Sequence, residues 1–308
     1  MGRAARQLEL TGVFAAAVTP HRDGAEDPDY SACLDLLDFL AAGGVKAICL
    51  LDGVGEFFNY GFSDRQRLVY LATKRSRVPL VVGVAHTTLA GAIQLAEEAI
   101  SSGADGLLLM PPYFFSYEQA ELETFYREFA AETREAVPII LVNAPRHATG
   151  LEVETVRRLL DTGRFAGVSD ASGHAAYFDA LVEMKRGRPF ALLVGDDASA
   201  ARALRSGADA WISPAACAVP ELASALVKAI CSGDEARAAA LGACFGEFLA
   251  WLERFPPPTG IKRAVELRGQ KAGPPLVPLA RETEEAMTQF AAWFRAWRGS
   301  AFPSRARE

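Results

Sequence analysis

Lysine is scarce in this chain, with six among 308 residues: Lys46, Lys74, Lys185, Lys228, Lys262 and Lys271. No basic block exists and the formal net charge is −6, so phosphate-dominated binding of nucleic acid has no support. Cysteine is sparse too: Cys33, Cys49, Cys217, Cys231 and Cys244 are scattered, with no CxxC spacing and no histidine pairing. That pattern argues against a disulfide scaffold and fits reduced thiols in a cytoplasmic protein. No stretch approaches the roughly 18 apolar residues of a membrane span. Met1 to Arg6 carry charge, but no long apolar run follows, so no export signal is read. Asp52-Gly53-Val54-Gly55-Glu56 lacks the third glycine of a dinucleotide fingerprint, and no Gly-x-Ser-x-Gly elbow surrounds Ser169.

What the chain does contain is a repeated unit of amphipathic helix, glycine stop, short apolar strand and polar loop. Ser102-Gly103-Ala104-Asp105 precedes Gly106-Leu107-Leu108-Leu109-Met110, and Ser206-Gly207-Ala208-Asp209 precedes Ala210-Trp211-Ile212-Ser213. Each glycine ends a helix and the buried run begins at once. The apolar runs predict eight strands, near Phe14–Val18, Ala47–Leu51, Leu80–Val84, Leu107–Met110, Ile139–Val142, Ala166–Val168, Leu192–Val194 and Trp211–Ser213. Regular spacing with helices between them predicts a (β/α)8 TIM barrel over residues 8–220. Residues 221–300 read as a C-terminal helical extension, broken at Pro256-Pro257-Pro258 and again at Pro274 to Pro278. The tail after Ala301 reads as frayed.

Several short motifs occur in a telling order: Val18-Thr19-Pro20, Gly55-Glu56, Pro112-Tyr113, Asn143-Ala144-Pro145, Gly195-Asp196-Asp197, and Gly269 through Pro278-Leu279. In that order and spacing the chain resembles the dihydrodipicolinate synthase and N-acetylneuraminate lyase family over nearly its whole length. The resemblance implies a TIM-barrel lyase or aldolase that handles 2-oxo acids through a lysine imine, commonly as a dimer or a dimer of dimers. It also places substitutions at the family's working positions. The Schiff-base lysine falls on Ser169, the tyrosine before Asn-Val-Pro on Val142, the Thr-Thr pair on Gly53 and Val54, and the second tyrosine of Pro-Tyr-Tyr on Phe114. A hydroxyl forms no imine, and no other lysine is expected in the barrel mouth.

In a TIM barrel the strand C-termini and the loops after them build the site. The ligand-binding candidates are therefore Asp52, Gly53, Val54, Glu56, His86, Tyr113, Asn143, Arg146, His147, Ser169, Asp170 and Ile212, on an acid-rich rim. Catalytic residues are not assigned and no cofactor is expected. A metal held by His86 and His147 with Asp52 or Asp170 is weighed and set aside, because no HxH or HxxxH spacing supports it. Glu56, Asp196 and Asp197 are expected to cap helices and hold loops. Phe57-Phe58-Asn59-Tyr60 is expected to meet a second subunit. Three functions stand: a diverged enzyme acting on a polar small molecule, a non-catalytic sensor or partner subunit, and a conventional 2-oxo-acid lyase or synthase. No nucleic-acid or membrane partner is expected; a homo-oligomer is.

Overall fold

The computed structural model describes residues 8–25 and 27–301. The expectations for Met1 to Arg6 and for the tail after Ala301 lie outside the described residues. Eight strands alternate with helices in the order β1 (Gly12–Ala16), α1 (Tyr30–Ala42), β2 (Ala47–Leu50), α2 (Phe62–Arg75), β3 (Leu80–Gly83), α3 (Leu89–Ser102), β4 (Gly106–Leu109) and α4 (Gln119–Glu132). They continue with β5 (Ile139–Asn143), α5 (Val153–Leu160), β6 (Gly167–Asp170), α6 (Ala175–Arg186), β7 (Ala191–Val194), α7 (Ala200–Ser206), β8 (Ala210–Ser213) and α8 (Pro220–Cys231). All neighbouring strands pair in parallel, and β8 returns to β1 to close a (β/α)8 TIM barrel. Each strand expected from the apolar runs is present, shifted by at most a few residues.

Period-two alternation divides the core into two layers. Val13 and Ala15, Ile139 and Leu141, Leu192 and Val194 face the helices, as does Trp211. Phe14, Ala16, Ile140, Val142, Leu193 and Ile212 face the lumen. Leu8 and Leu10, just ahead of β1, pack against this lumen layer and so close the N-terminal end of the barrel. The glycine stops behave as local sterics demand: Gly103 at φ 96° ends α3 and Gly207 at φ 122° ends α7, a region that side chains other than glycine rarely adopt.

After α8 come α9 (Glu235–Leu252), α10 (Thr259–Leu267) and α11 (Arg281–Ala301), with the two proline-rich segments in the connections. A run of aromatic rings fastens α11 to α9: Phe248 packs on Phe290, Phe294 and Trp297, and Trp251 on Trp293. No described helix is long and apolar enough to cross a membrane.

Candidate functional site at the barrel mouth

The floor of the mouth follows from strand parity. Ser169 pairs in register with Val142 on one side and Leu193 on the other, and both belong to the lumen layer, so its side chain points inward. It is 2% exposed. Gly195 leaves the space beside it open, since a Cβ there would stand 3.1 Å from Ser169 Oγ. The lumen layer that this hydroxyl joins is apolar, with Val142, Ala144 and Ile212 buried in it and Met110, Ala171 and Val54 packed against it.

The same parity turns the next residues outward. Asn143 donates from Nδ2 to Asp170 Oδ1 at 2.8 Å, and the Leu151 amide donates to Asn143 Oδ1 at 2.9 Å. Ser172 donates to Asp170 through both its amide and its hydroxyl, at 3.1 and 3.0 Å. Burial raises the Asp170 pKa, and the bonds from Asn143 and Ser172 oppose that rise. Asn143 and Asp170 thus tie the β5 and β6 exits together behind the lumen wall.

The loop after β2 carries four of the candidates. Residues 53–55 form a short 3-10 turn with Asp52 at its start, held by a bond from Thr19 Oγ1 to the Gly55 carbonyl at 2.7 Å. Burial raises the pKa of half-buried Asp52, while the Gly53 amide and the nearby His147 favour its charged form. Glu56 follows at φ 53° and turns its carboxylate away from the lumen, into a buried ion pair with Lys262 of α10. His147 and Arg146 are exposed on the loop after β5.

His86 lies in a different environment. Its ring rests on Phe62 at 5.2 Å, and Nδ1 accepts from the Thr88 amide at 3.1 Å. Burial lowers its pKa and the Arg65 guanidinium lowers it further. Arg65 donates to the Gly83 and Ala85 carbonyls at 3.1 and 3.2 Å and sits over the Phe57 ring, which meets Tyr113 edge-on at 5.5 Å. Burial raises the Tyr113 phenol and Arg65 opposes that shift. Among the described residues no group of three or more His, Cys, Asp or Glu gathers in a geometry that would hold a metal ion.

The structure thus brings Ser169, Val54 and Ile212 to the lumen, Asp52 within range of the His147 charge, and Tyr113 to the rim. It sends Glu56, Asn143 and Asp170 into supporting contacts and His86 onto the α2–α3 side. Alternation groups Met110, Ala144 and Ala171 with Val142 and Ser169 on one strand parity, and closure of the barrel turns that parity to the lumen. Lys262 carries no such signal; its partner comes from the other end of the chain.

Asp197 shows what the acidic rim does. Its carboxylate accepts from Trp211 Nε1 at 3.0 Å, Ser213 Oγ at 2.7 Å and the Ala215 amide at 2.9 Å, while Asp196 accepts from the Ser199 amide. Burial outweighs those bonds and pushes the Asp197 pKa up to about 6. A folded pKa above the unfolded value means that folding takes up a proton, so this group's contribution falls as pH rises from the usual carboxylate range through about 6. The loss is of order 2–3 kcal/mol. Urea unfolding of the parent and Asp197→Asn across that window checks it: the parent should show this decline and the variant should not. The variant should also be less stable at every pH, because an amide nitrogen replaces one acceptor oxygen.

The sequence profile of the dihydrodipicolinate synthetase family matches residues 9–296. A 4-hydroxy-tetrahydrodipicolinate synthase of Natronomonas pharaonis is 31% identical over 285 residues, covering 91% of this chain and 96% of the relative. The solved 4-hydroxy-tetrahydrodipicolinate synthase of Methylacidiphilum fumariolicum SolV superposes with a TM-score of 0.85 at 26% identity, covering 95% of this chain and 98% of the other. A chloride-inhibited dihydrodipicolinate synthase from Acinetobacter baumannii, solved with pyruvate, gives 0.84 at 25% identity over 95% and 99%.

Proposed function

This chain belongs to the dihydrodipicolinate synthetase family, and from that premise we propose that its barrel mouth acts on a small polar molecule without passing through a lysine imine. The observation that supports this most directly is the lumen-facing hydroxyl of Ser169 at the end of β6, where the resemblance puts the imine-forming lysine. The other lysines sit elsewhere. Lys46 packs against Gly12 at the entry of β2, Lys74, Lys185 and Lys228 ride on α2, α6 and α8, and Lys271 follows α10. Lys262 is held by Glu56.

In this reading Ser169 hydrogen-bonds the ligand at the floor, and Asp52 with His147 moves a proton above it. A carboxyl whose pKa is raised by burial is better matched to proton transfer near neutral pH than an exposed one. Incubation with pyruvate and borohydride followed by intact-mass measurement tests the central claim. The mass should stay that of the unmodified chain, and a reduced pyruvate adduct on any lysine would overturn the reading.

A second reading, binding without turnover as a sensor or partner subunit, is favoured by the apolar walls around Ser169. Turnover of any compound that stabilises the purified protein decides between the two. The proposed assembly is a homo-oligomer, dimer or tetramer. Phe58, Phe114 and Phe115 support it as a patch of exposed rings beside the mouth. Sedimentation should show an oligomer for the parent and a shift toward monomer for Phe114→Asp; a monomeric parent would remove the proposal. The proposed setting is the cytoplasm, which the five free thiols support.

A further inference from the structure

A cavity of about 270 Å³ opens beside the mouth, between α10, the loop after it and α11. Thr259, Lys262 and Arg263 line it from α10, and Pro274, Leu279 and Met287 form an apolar wall opposite. The α10 positions recur at helical spacing, so one face presents all three. Two of these polar groups are buried: Lys262 is 3% exposed and Thr259 is 6%.

An ammonium has three N–H donors. Glu56 holds the Lys262 ammonium in an ion pair, and His21 Nδ1 lies 3.4 Å away, at the outer limit of a hydrogen bond. Lys262, which lines the cavity together with the buried Thr259, therefore keeps donor capacity beyond Glu56 and His21. Glu266 also lines the cavity but is engaged by Arg263 at 3.0 Å, and Glu284 stands at the exposed edge. The ligand that matches a buried ammonium and hydroxyl facing a proline, leucine and methionine wall is an organic acid with an apolar body. The volume sits just under the roughly 300 Å³ at which drug-sized pockets begin, which suits a small one.

We infer that this cavity is a binding site for a small organic monocarboxylate, and that its occupancy is transmitted to the mouth through the Lys262–Glu56 pair. Glu56 closes the 3-10 turn that carries Asp52 and Val54, its amide donating to the Gly53 carbonyl at 3.0 Å. A ligand carboxylate that takes a share of the Lys262 ammonium weakens the hold on Glu56, and with it the hold on that turn. This site uses none of the groups assigned to chemistry at the lumen, so it stands or falls separately.

Calorimetric titration of the full-length protein with benzoate, and with benzamide as the same shape without the charge, tests the site. Benzoate should saturate a single site and benzamide should bind at least tenfold more weakly. Met287→Trp, which fills the cavity from α11, should weaken benzoate at least tenfold. Glu56→Gln, which frees the Lys262 ammonium, should tighten it at least tenfold. No saturable benzoate binding, equal binding of benzamide, or an affinity unmoved by Met287→Trp overturns the site. Amide hydrogen exchange over residues 53–59 should change when benzoate saturates the parent protein, and unchanged exchange overturns the transmission to the mouth.

Discussion

Replacing Lys262 with methionine is expected to remove about 3–5 kcal/mol of stability, the loss typical of a buried ion pair that is deprived of one partner. Both members are enclosed, Lys262 at 3% and Glu56 at 6% exposure, so the Glu56 carboxylate left behind is poorly solvated. Methionine keeps most of the lysine stem and its packing, which isolates the charge as the cause. Urea unfolding of the parent and the variant measures the loss. The double variant Lys262→Met with Glu56→Gln should lose clearly less than the sum of the two single variants, since neither then strands a charge. Additive losses would show that the two residues do not act as a unit.

Ser169→Lys is expected to turn covalent capture of pyruvate from absent to readily detected. The new amine would rise from β6 among Val142, Met110 and Ile212, walls that lower an ammonium pKa and so supply free amine near neutrality. Gly195 leaves room for the longer side chain to turn toward the mouth. Borohydride reduction followed by peptide mapping should place the adduct on residue 169 in the variant alone. Circular dichroism distinguishes a folded but unreactive variant from an unfolded one. A folded variant without adduct would mean that pyruvate does not reach this position, and the mouth would then need a different ligand class. The variant should also be less stable than the parent, because an ammonium enters an apolar lumen.

Much of the fold is legible in the amino-acid sequence. Gly103 and Gly207 mark helix ends, the apolar runs after them mark strands, and eight such units have one economical closure. The site is legible as a neighbourhood rather than as an arrangement. Ser169 and Asp170 are adjacent in the chain, yet one faces the lumen and the other bonds Asn143 outside it. Alternation along β6 contains that distinction, but choosing which parity faces inward requires knowing where the barrel axis runs. Tyr113 and Arg65 both pack on the Phe57 ring, which brings together α2 and the loops after β2 and β4.

The sequence by itself determined the barrel, its helical C-terminal segment, and the absence of a lysine at the end of the sixth strand. These are local properties: helix stops, period-two patterning and residue identity act within a few positions of the chain. The tertiary structure decided which strand parity faces the lumen, that Asp52 lies close enough to His147 to feel its charge, and that Glu56 belongs to Lys262. Those are contacts between segments brought together by closure of the sheet. Their energies come from burial and charge pairing at sites that exist only after the chain has folded.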